Sequence, residues 1–585
     1  MLVRIISLLI AHSLMTACAY LPTSSSGNNS DINEAGIGNS QVVSPELEAV
    51  VDYRPFPAPT LYSLLVAEVA GQRQQFDISL VNYLDQAEKT QDAGIAERAT
   101  RIAQYMGINN YTLRAAKIWV ESAPFEPQAH QVLAQALMIE GDFSNALVHM
   151  EAVLELAGAS QFDYLALNAQ HLTPEQKRNL LQQFEALTEK HPDYPQLWMA
   201  KGTLLLQLED YPAALPAFDQ ALALRSNYTA AALSKARVLH KLGEAEEALV
   251  WLDDLHDNMP KHKGIGILRA RILIDLKRYT EARAAFQYLN QHFPDDQSIQ
   301  LSLGLLNIEL QEYDEAIANL TPLILTRPIA DEAYFYLARI AELQKDYPRA
   351  LRNLGQVQQG RQFLPAQLQT VRLLMQQEDI NAARDYLSHS RGQHPKFNTE
   401  LVMLEVELLI EESDFQEAYN LTDMALLEDP DNIDFLYSRG LLAEKMGDIT
   451  QLEADLRKII QLNPKNAEAM NALGYTLADK TDRIEEALVL VEQANELSPN
   501  NPAIIDSLGW IHYRLGDLYK ALELLQKAYD EFPDHEVAAH LGEVLWKLDR
   551  NKEAQSIWQQ GLEDNPESPV IKDTQQRLKV DSATE

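Results

Sequence analysis

Five alanines, Ala214, Ala248, Ala282, Ala316 and Ala350, stand 34 residues apart in this chain. A period of that length fits a unit of two helices joined by a turn, and such a unit has one face that it cannot bury alone. Copies must therefore stack, so that the core runs along the stack instead of collecting into a globule. The spacing predicts an all-α solenoid of many helix-turn-helix units. A length of 585 residues, which otherwise suggests several domains, then fits one long array.

Counting Pro502 as position 1 of a repeat, Gly509 falls at 8, Gly516 at 15, Ala521 at 20, Ala528 at 27 and Pro533 at 32. This predicts helix A over about 503–515 and helix B over about 518–531. Small residues at 8 and 20 let the pair cross closely. Gly516 and Asp517 make the turn, Asp517 caps helix B and Pro533 stops it. The grid recurs with glycines at position 8 (Gly202, Gly304, Gly440, Gly474, Gly542) and prolines at 32 (Pro260, Pro294, Pro328, Pro430, Pro464). Further alanines stand at 20 (Ala418, Ala487, Ala554), and acid–aromatic pairs at 16 and 17 (Asp210-Tyr211, Glu312-Tyr313, Asp346-Tyr347, Asp414-Phe415).

This grid resembles the tetratricopeptide repeat over residues 127–566, with one weak unit near 161–194 where Leu180 replaces the small residue. Residues 59–126 read as degenerate opening repeats, with helices at about 60–72, 77–90, 94–106 and 111–122. Residues 567–585 read as a closing cap and tail, with a short helix near 573–579.

The N-terminus reads as an address. Residues 1–17 have one ionised side chain, Arg4, then a short apolar run and small residues before Cys18, the pattern of a secretory signal. The run is about half of the ~20 residues that span a bilayer. Leu14-Met15-Thr16-Ala17-Cys18 resembles the lipobox of bacterial lipoproteins, although Met15 stands where leucine is usual. The resemblance implies cleavage before Cys18, its lipidation, and, with Ala19 next, an outer-membrane anchor with the body facing the periplasm. Residues 18–58, rich in Ser, Gly, Asn and Pro, read as a flexible tether with a span of roughly 35 Å.

A formal charge of −36 argues against nucleic-acid binding and against lying on anionic lipid, so membrane contact is expected through the anchor only. The charge is uneven. Residues 399–470 carry 17 acids and 5 bases, whereas Lys261, Lys263, Arg269, Arg271, Lys277, Arg278 and Arg283 form a basic band.

In tetratricopeptide arrays, positions 2, 5, 9, 12 and 13 of helix A line the concave groove. Here they hold Asn471 and Tyr475, then Asp506, Trp510, Tyr513 and Arg514, then Glu543 and Trp546. Trp, Tyr and Arg dominate interface energetics, so this cluster is the expected protein-binding site, with Arg271 and Arg339 further up the groove. The alternative is that Trp510 and Trp546 only fill the space between repeats. The Lys, Asn and Arg set of the family's carboxylate clamp is not found.

No catalytic residues, metal ligands or cofactor are expected. Gly-x-Ser-x-Gly, the phosphate loop and His-Glu-x-x-His are all absent, and His256 and His262 lack a third ligand. The chain therefore reads as a non-enzyme.

The text of the last repeats is more specific: Asn471-Ala-Leu-Gly-Tyr-Thr-Leu-Ala-Asp479, Asp506-Ser-Leu-Gly-Trp-Ile-His-Tyr-Arg-Leu-Gly516 and Glu536-Val-Ala-Ala-His-Leu-Gly-Glu-Val-Leu-Trp546. With the lipobox, it resembles the large tetratricopeptide lipoproteins of gammaproteobacteria. That family implies a scaffold that binds a periplasmic carboxyl-terminal processing protease together with its clients, the peptidoglycan hydrolases, and so promotes their proteolysis. The competing expectation is an assembly lipoprotein for a secretin, pilus or exopolysaccharide export machine.

Overall fold

The computed structural model describes residues 57–578 apart from 328, 378 and 379. The signal segment, Cys18, the tether through residue 56 and Pro328 lie outside the described residues, and Ala58, assigned to the tether from sequence, opens the first described helix. All regular structure among those described is helical, in pairs of 13 to 15 residues through most of the array. The fold is a tetratricopeptide-repeat solenoid. No described helix is long and apolar enough to cross a membrane.

The chain divides into two compact units, Met1–Ile329 and Ala330–Glu585. Within each, helix B packs on its own helix A and then on the helix A of the next repeat. Successive A helices also touch, as with Thr229–Lys241 against Lys263–Asp275 and Pro502–Arg514 against His535–Lys547. Helix A therefore lies on the compressed side of each stack.

The sequence grid explains the joints. The 34-spaced alanines are fully buried where A and B cross. The acids at position 16 cap helix B: Asp210, Asp346, Asp414 and Asp517 each accept from the backbone N–H three residues on, at 3.1–3.3 Å. Helix A of the Pro502 repeat runs Pro502–Arg514 and helix B Leu518–Glu531. The weak repeat departs visibly. Its helix A is cut to Phe162–Asn168 and runs into a 3-10 turn, Ala169–His171, and Leu180 is buried in the core cluster that also holds Phe162 and Leu165. The stretch upstream of Pro127 holds Ala58–Gln72, Phe76–Thr90, Ala93–Tyr105 and Asn109–Ser122, and the last described helix is Pro569–Arg577.

Position 15, between A and B, is left-handed in repeat after repeat. Gly243, Gly447 and Gly516 hold φ of 84–86°, whereas Glu209, Lys277, Gln311, Lys345 and Ser413 hold 58–61°. A side chain costs about 1 kcal/mol or more there, and glycine's extra chain entropy offsets only part of that. Combining Lys277→Gly, Gln311→Gly and Lys345→Gly is expected to raise the unfolding temperature. A fall would mean that those side chains hold the turn by some other means.

Candidate functional site

The inner side of the last repeats holds a connected polar and aromatic cluster. The 34-residue period sets same-position residues of successive A helices side by side. Asp506, at position 5, and His540, at position 6 of the next helix A, meet with both carboxylate oxygens 3.0 Å from the imidazole Nδ1. Glu543 and Arg577, both at position 9, form a two-pronged pair at 2.6 Å. Trp510 lies between these pairs, stacked on His540 with centroids 4.3 Å apart and on Tyr513 at 4.9 Å. Its indole N–H donates to Asp479 at 3.3 Å, and the Tyr513 hydroxyl donates to Glu543 at 2.6 Å. The Tyr475 hydroxyl reaches His540 Nε2 at 3.4 Å, and Arg514 donates to the carbonyls of Ala478 and Asp479 at the end of the preceding helix A.

The electrostatics follow from burial. Burial alone would lower the His540 pKa, but the Asp506 carboxylate beside it, helped by Asp479 and Glu536, lifts it above the ordinary imidazole value. Burial, and then the bond to Glu543, push the Tyr513 hydroxyl well up. Burial, with Asp479 and Asp506 nearby, does the same for Tyr475.

Asp506, Trp510 and Glu543 are thus buried, at 8%, 6% and 0% exposure, and their polar atoms are committed to neighbouring repeats. They fasten A helices together instead of facing a groove, which is the packing alternative that the sequence left open. Asn471, Tyr475, Tyr513, Arg514 and Trp546 remain half-exposed. Trp546 leans on buried Trp558 at 5.8 Å. Arg271 and Arg339 are half-buried on helices Lys263–Asp275 and Ala330–Leu343, apart from this cluster. Sequence reasoning missed His540, Arg577 and Asp479. The first two carried a usable signal, since each stands 34 residues after an acid that it now binds.

The basic band is largely neutralised. Lys263 pairs with Asp296, Arg269 with Asp253, Arg278 with Glu246 and Glu281, and Arg283 with Glu312. One pairing repeats: a base at position 7 meets an acid at position 25 of the preceding repeat, in Lys201–Glu185 at 3.3 Å and Lys235–Asp219 at 2.8 Å. His262 caps its own helix through Nδ1, and His256 packs edge-on against Tyr288. One group of three possible metal ligands occurs among the described residues, Glu151, Glu155 and His191. The Lys190 ammonium already bridges its two carboxylates at 2.6 and 2.7 Å, in the place that a cation would take.

Comparisons with known proteins agree with this architecture. Tetratricopeptide-repeat family profiles match residues 181–228, 267–321, 301–358, 433–466 and 512–578, and one described as anaphase-promoting complex, cyclosome, subunit 3 matches 207–289. The TPR repeat-containing protein PA4667 of Pseudomonas aeruginosa is 45% identical over 497 residues, 84% of this chain and 83% of that protein. Bacteriophage adsorption protein A of Escherichia coli is 31% identical over 81 residues, 14% of this chain and 8% of that protein. Among solved structures, the thermophilic TPR protein TTC0263 of Thermus thermophilus is 21% identical, covering 30% of this chain and 93% of its own, with a TM-score of 0.27. The APC/C hetero-tetramer Cut9-Hcn1 is 13% identical, covering 89% and 96%, with a TM-score of 0.31. Such scores carry no argument, and the assignment rests on the repeat profiles and the long relative. No catalytic family is indicated, and proteins of this kind are typically non-catalytic. The chain belongs to the TPR repeat-containing proteins, scaffolds for protein–protein interaction.

Proposed function

We propose that this scaffold is a lipid-anchored adaptor on the periplasmic side of the outer membrane. It binds a carboxyl-terminal processing protease and that protease's peptidoglycan-hydrolase substrates, and promotes their cleavage. Holding two proteins on one array makes their encounter intramolecular, with effective concentrations up to roughly millimolar. One observation carries the reading: the three segments on which the lipoprotein resemblance rests are the A helices that Tyr475, Asp506, Trp510, His540 and Glu543 lock together. The distinctive text thus belongs to one built block. The lipobox-like run ending in Cys18 adds the address.

A pull-down from envelope extracts tests the reading. Recovery of a carboxyl-terminal processing protease together with wall hydrolases supports it. Recovery of a secretin or export channel instead replaces it with the assembly role. Cys18→Ser is expected to move the protein from the membrane pellet to the soluble periplasmic fraction, and continued sedimentation with outer membranes would remove the anchor from the proposal.

A further inference from the structure

The opening pair of helices departs from the rest of the array at one side chain. In most later repeats the fourth residue of helix B is a fully buried alanine, as at Ala146, Ala214, Ala282, Ala350 and Ala521. In helix Phe76–Thr90 the fourth residue is Ser79, which is just as buried. Its hydroxyl makes no hydrogen bond to any described residue. A hydroxyl taken out of water without a partner is a net cost, and the alanine used elsewhere avoids it.

Ser79 borders a cavity of about 230 Å³ among helices Ala58–Gln72, Phe76–Thr90 and Ala93–Tyr105. Gly71 forms another part of its wall, and a methyl there would stand 3.3 Å from the Ser79 Oγ. Tyr105 also lines it and is 76% exposed, its ring 5.0 Å from that of half-buried Phe76. The charged groups around it are already balanced. Glu68 accepts from the Tyr83 hydroxyl at 2.7 Å and from Arg98 at 3.4 Å, and Arg101 pairs with Glu97. The Tyr83 bond, and then the charge of Arg98, hold Glu68 below the ordinary carboxylate value, so it stays an acceptor. The cavity therefore offers an ion no excess charge. It offers an orphan hydroxyl, further guanidinium N–H groups, carboxylate lone pairs and an open aromatic face. Sites for drug-sized ligands run from roughly 300 to 1,000 Å³, so this one suits a single ring.

We propose that this cavity binds one pyranose ring of an uncharged glycan. A pyranose carries hydroxyls around its rim and C–H bonds on its faces. The C–H face suits the electron-rich face of Tyr105. The rim hydroxyls both donate and accept, which is what Ser79, Arg98 and Glu68 together require. A purely apolar ligand would leave the Ser79 hydroxyl orphaned, and a ligand hydroxyl removes that cost on binding. In the scaffold reading the glycan is that of the wall on which the client hydrolases act. The site itself rests on the cavity and is independent of the protease.

The test uses the purified full-length chain without its lipid and four probes: chitotetraose, cellotetraose, tetragalacturonate and an amidated Gln–Gly peptide. Titration calorimetry is expected to show binding of chitotetraose, cellotetraose or both, and not of the other two. Which neutral glycan binds tells an N-acetylated amino sugar from a plain hexose. Tyr105→Ala is expected to weaken binding about tenfold, the scale of one lost stacking platform. Ser79→Ala is expected to weaken it about fivefold, the size of one neutral hydrogen bond. Tyr62→Ala, equally exposed in the opening helix but not lining the cavity, leaves it unchanged. Ser79→Ala is also expected to keep or raise the unfolding temperature, because it removes the orphan hydroxyl and restores the alanine of the other joints. Four results overturn the proposal: no neutral glycan binds, binding is indifferent to both Ser79 and Tyr105, only tetragalacturonate or the peptide binds, or Ser79→Ala lowers the unfolding temperature. A pull-down of the protease succeeds or fails separately from all of these.

Discussion

His540→Ala is expected to destabilise the last repeats by about 3 kcal/mol, more than Asp506→Asn does. The reason is the asymmetry between the two partners. Removing the imidazole leaves a buried carboxylate whose partner is gone, and breaking a buried pair from one side costs about 3–5 kcal/mol. Trp510 also loses the ring that it stacks on. Removing the acid leaves an imidazole that sheds its proton and stays buried as a neutral group, which is the cheaper outcome. Solenoids open locally, so the readout is amide exchange in helices Pro502–Arg514 and His535–Lys547 as well as the melting curve. Equal effects of the two substitutions would show that the pair is not held as an ion pair.

The same pair gives a signed pH dependence. The folded-state pKa of His540 lies above its unfolded value of 6.5. The folded state therefore binds the proton more tightly, and this stabilisation is complete below about pH 6.5 and fades as pH rises through the folded value. His149 and His394 are pushed down, first by burial, so their contributions run the other way and fade as pH falls. Subtracting a His540→Gln variant from wild type cancels them. The difference in unfolding temperature is expected to be largest near pH 6 and to shrink towards pH 9. A flat difference would mean that His540 is neutral when folded.

How much of this was legible beforehand differs between fold and site. The joints were legible because they obey local rules at a fixed period. Ala214 to Ala350 mark crossings, Asp517 marks a cap, and Pro502 marks a first turn. The shortened helix Phe162–Asn168 was visible only as a misfit at Leu180, since nothing in the grid says how a chain repairs a missing small residue. The inner face was harder. Position along helix A says which side a residue occupies and leaves open whether its neighbour is water or the next repeat. Trp510 and Glu543 point inward and are consumed there by His540 and Arg577. Tyr475 points inward too and stays half-exposed. Pairing residues across one whole period, Asp506 with His540 and Glu543 with Arg577, would have exposed the difference.

Gly542→Ala is expected to destabilise by about 2 kcal/mol net, the largest loss in a series of position-8 substitutions. A methyl at Gly542 falls within 3.0 Å of three atoms of the Trp558 indole, which is fully buried and cannot swing aside. Overpacking of that kind costs about 1–3 kcal/mol or more, while alanine in a helix interior returns at most about 1 kcal/mol. At Gly304 and Gly509 the obstacle is a leucine branch, Leu320 or Leu525, at 2.6 Å, which gives way more easily. At Gly440 the nearest atom, Leu452 Cδ1, is 3.2 Å away, so Gly440→Ala is expected to be neutral or slightly stabilising. The losses should therefore rise from Gly440 through Gly304 and Gly509 to Gly542, measured as shifts in the denaturant midpoint. Trp558→Leu combined with Gly542→Ala should cost less than the sum of the two single changes, because the smaller side chain vacates the space that the methyl needs. If Gly542→Ala matched Gly440→Ala, the close crossing of helices A and B that sets the spacing of the whole array would be looser than the contact between Gly542 and Trp558 requires.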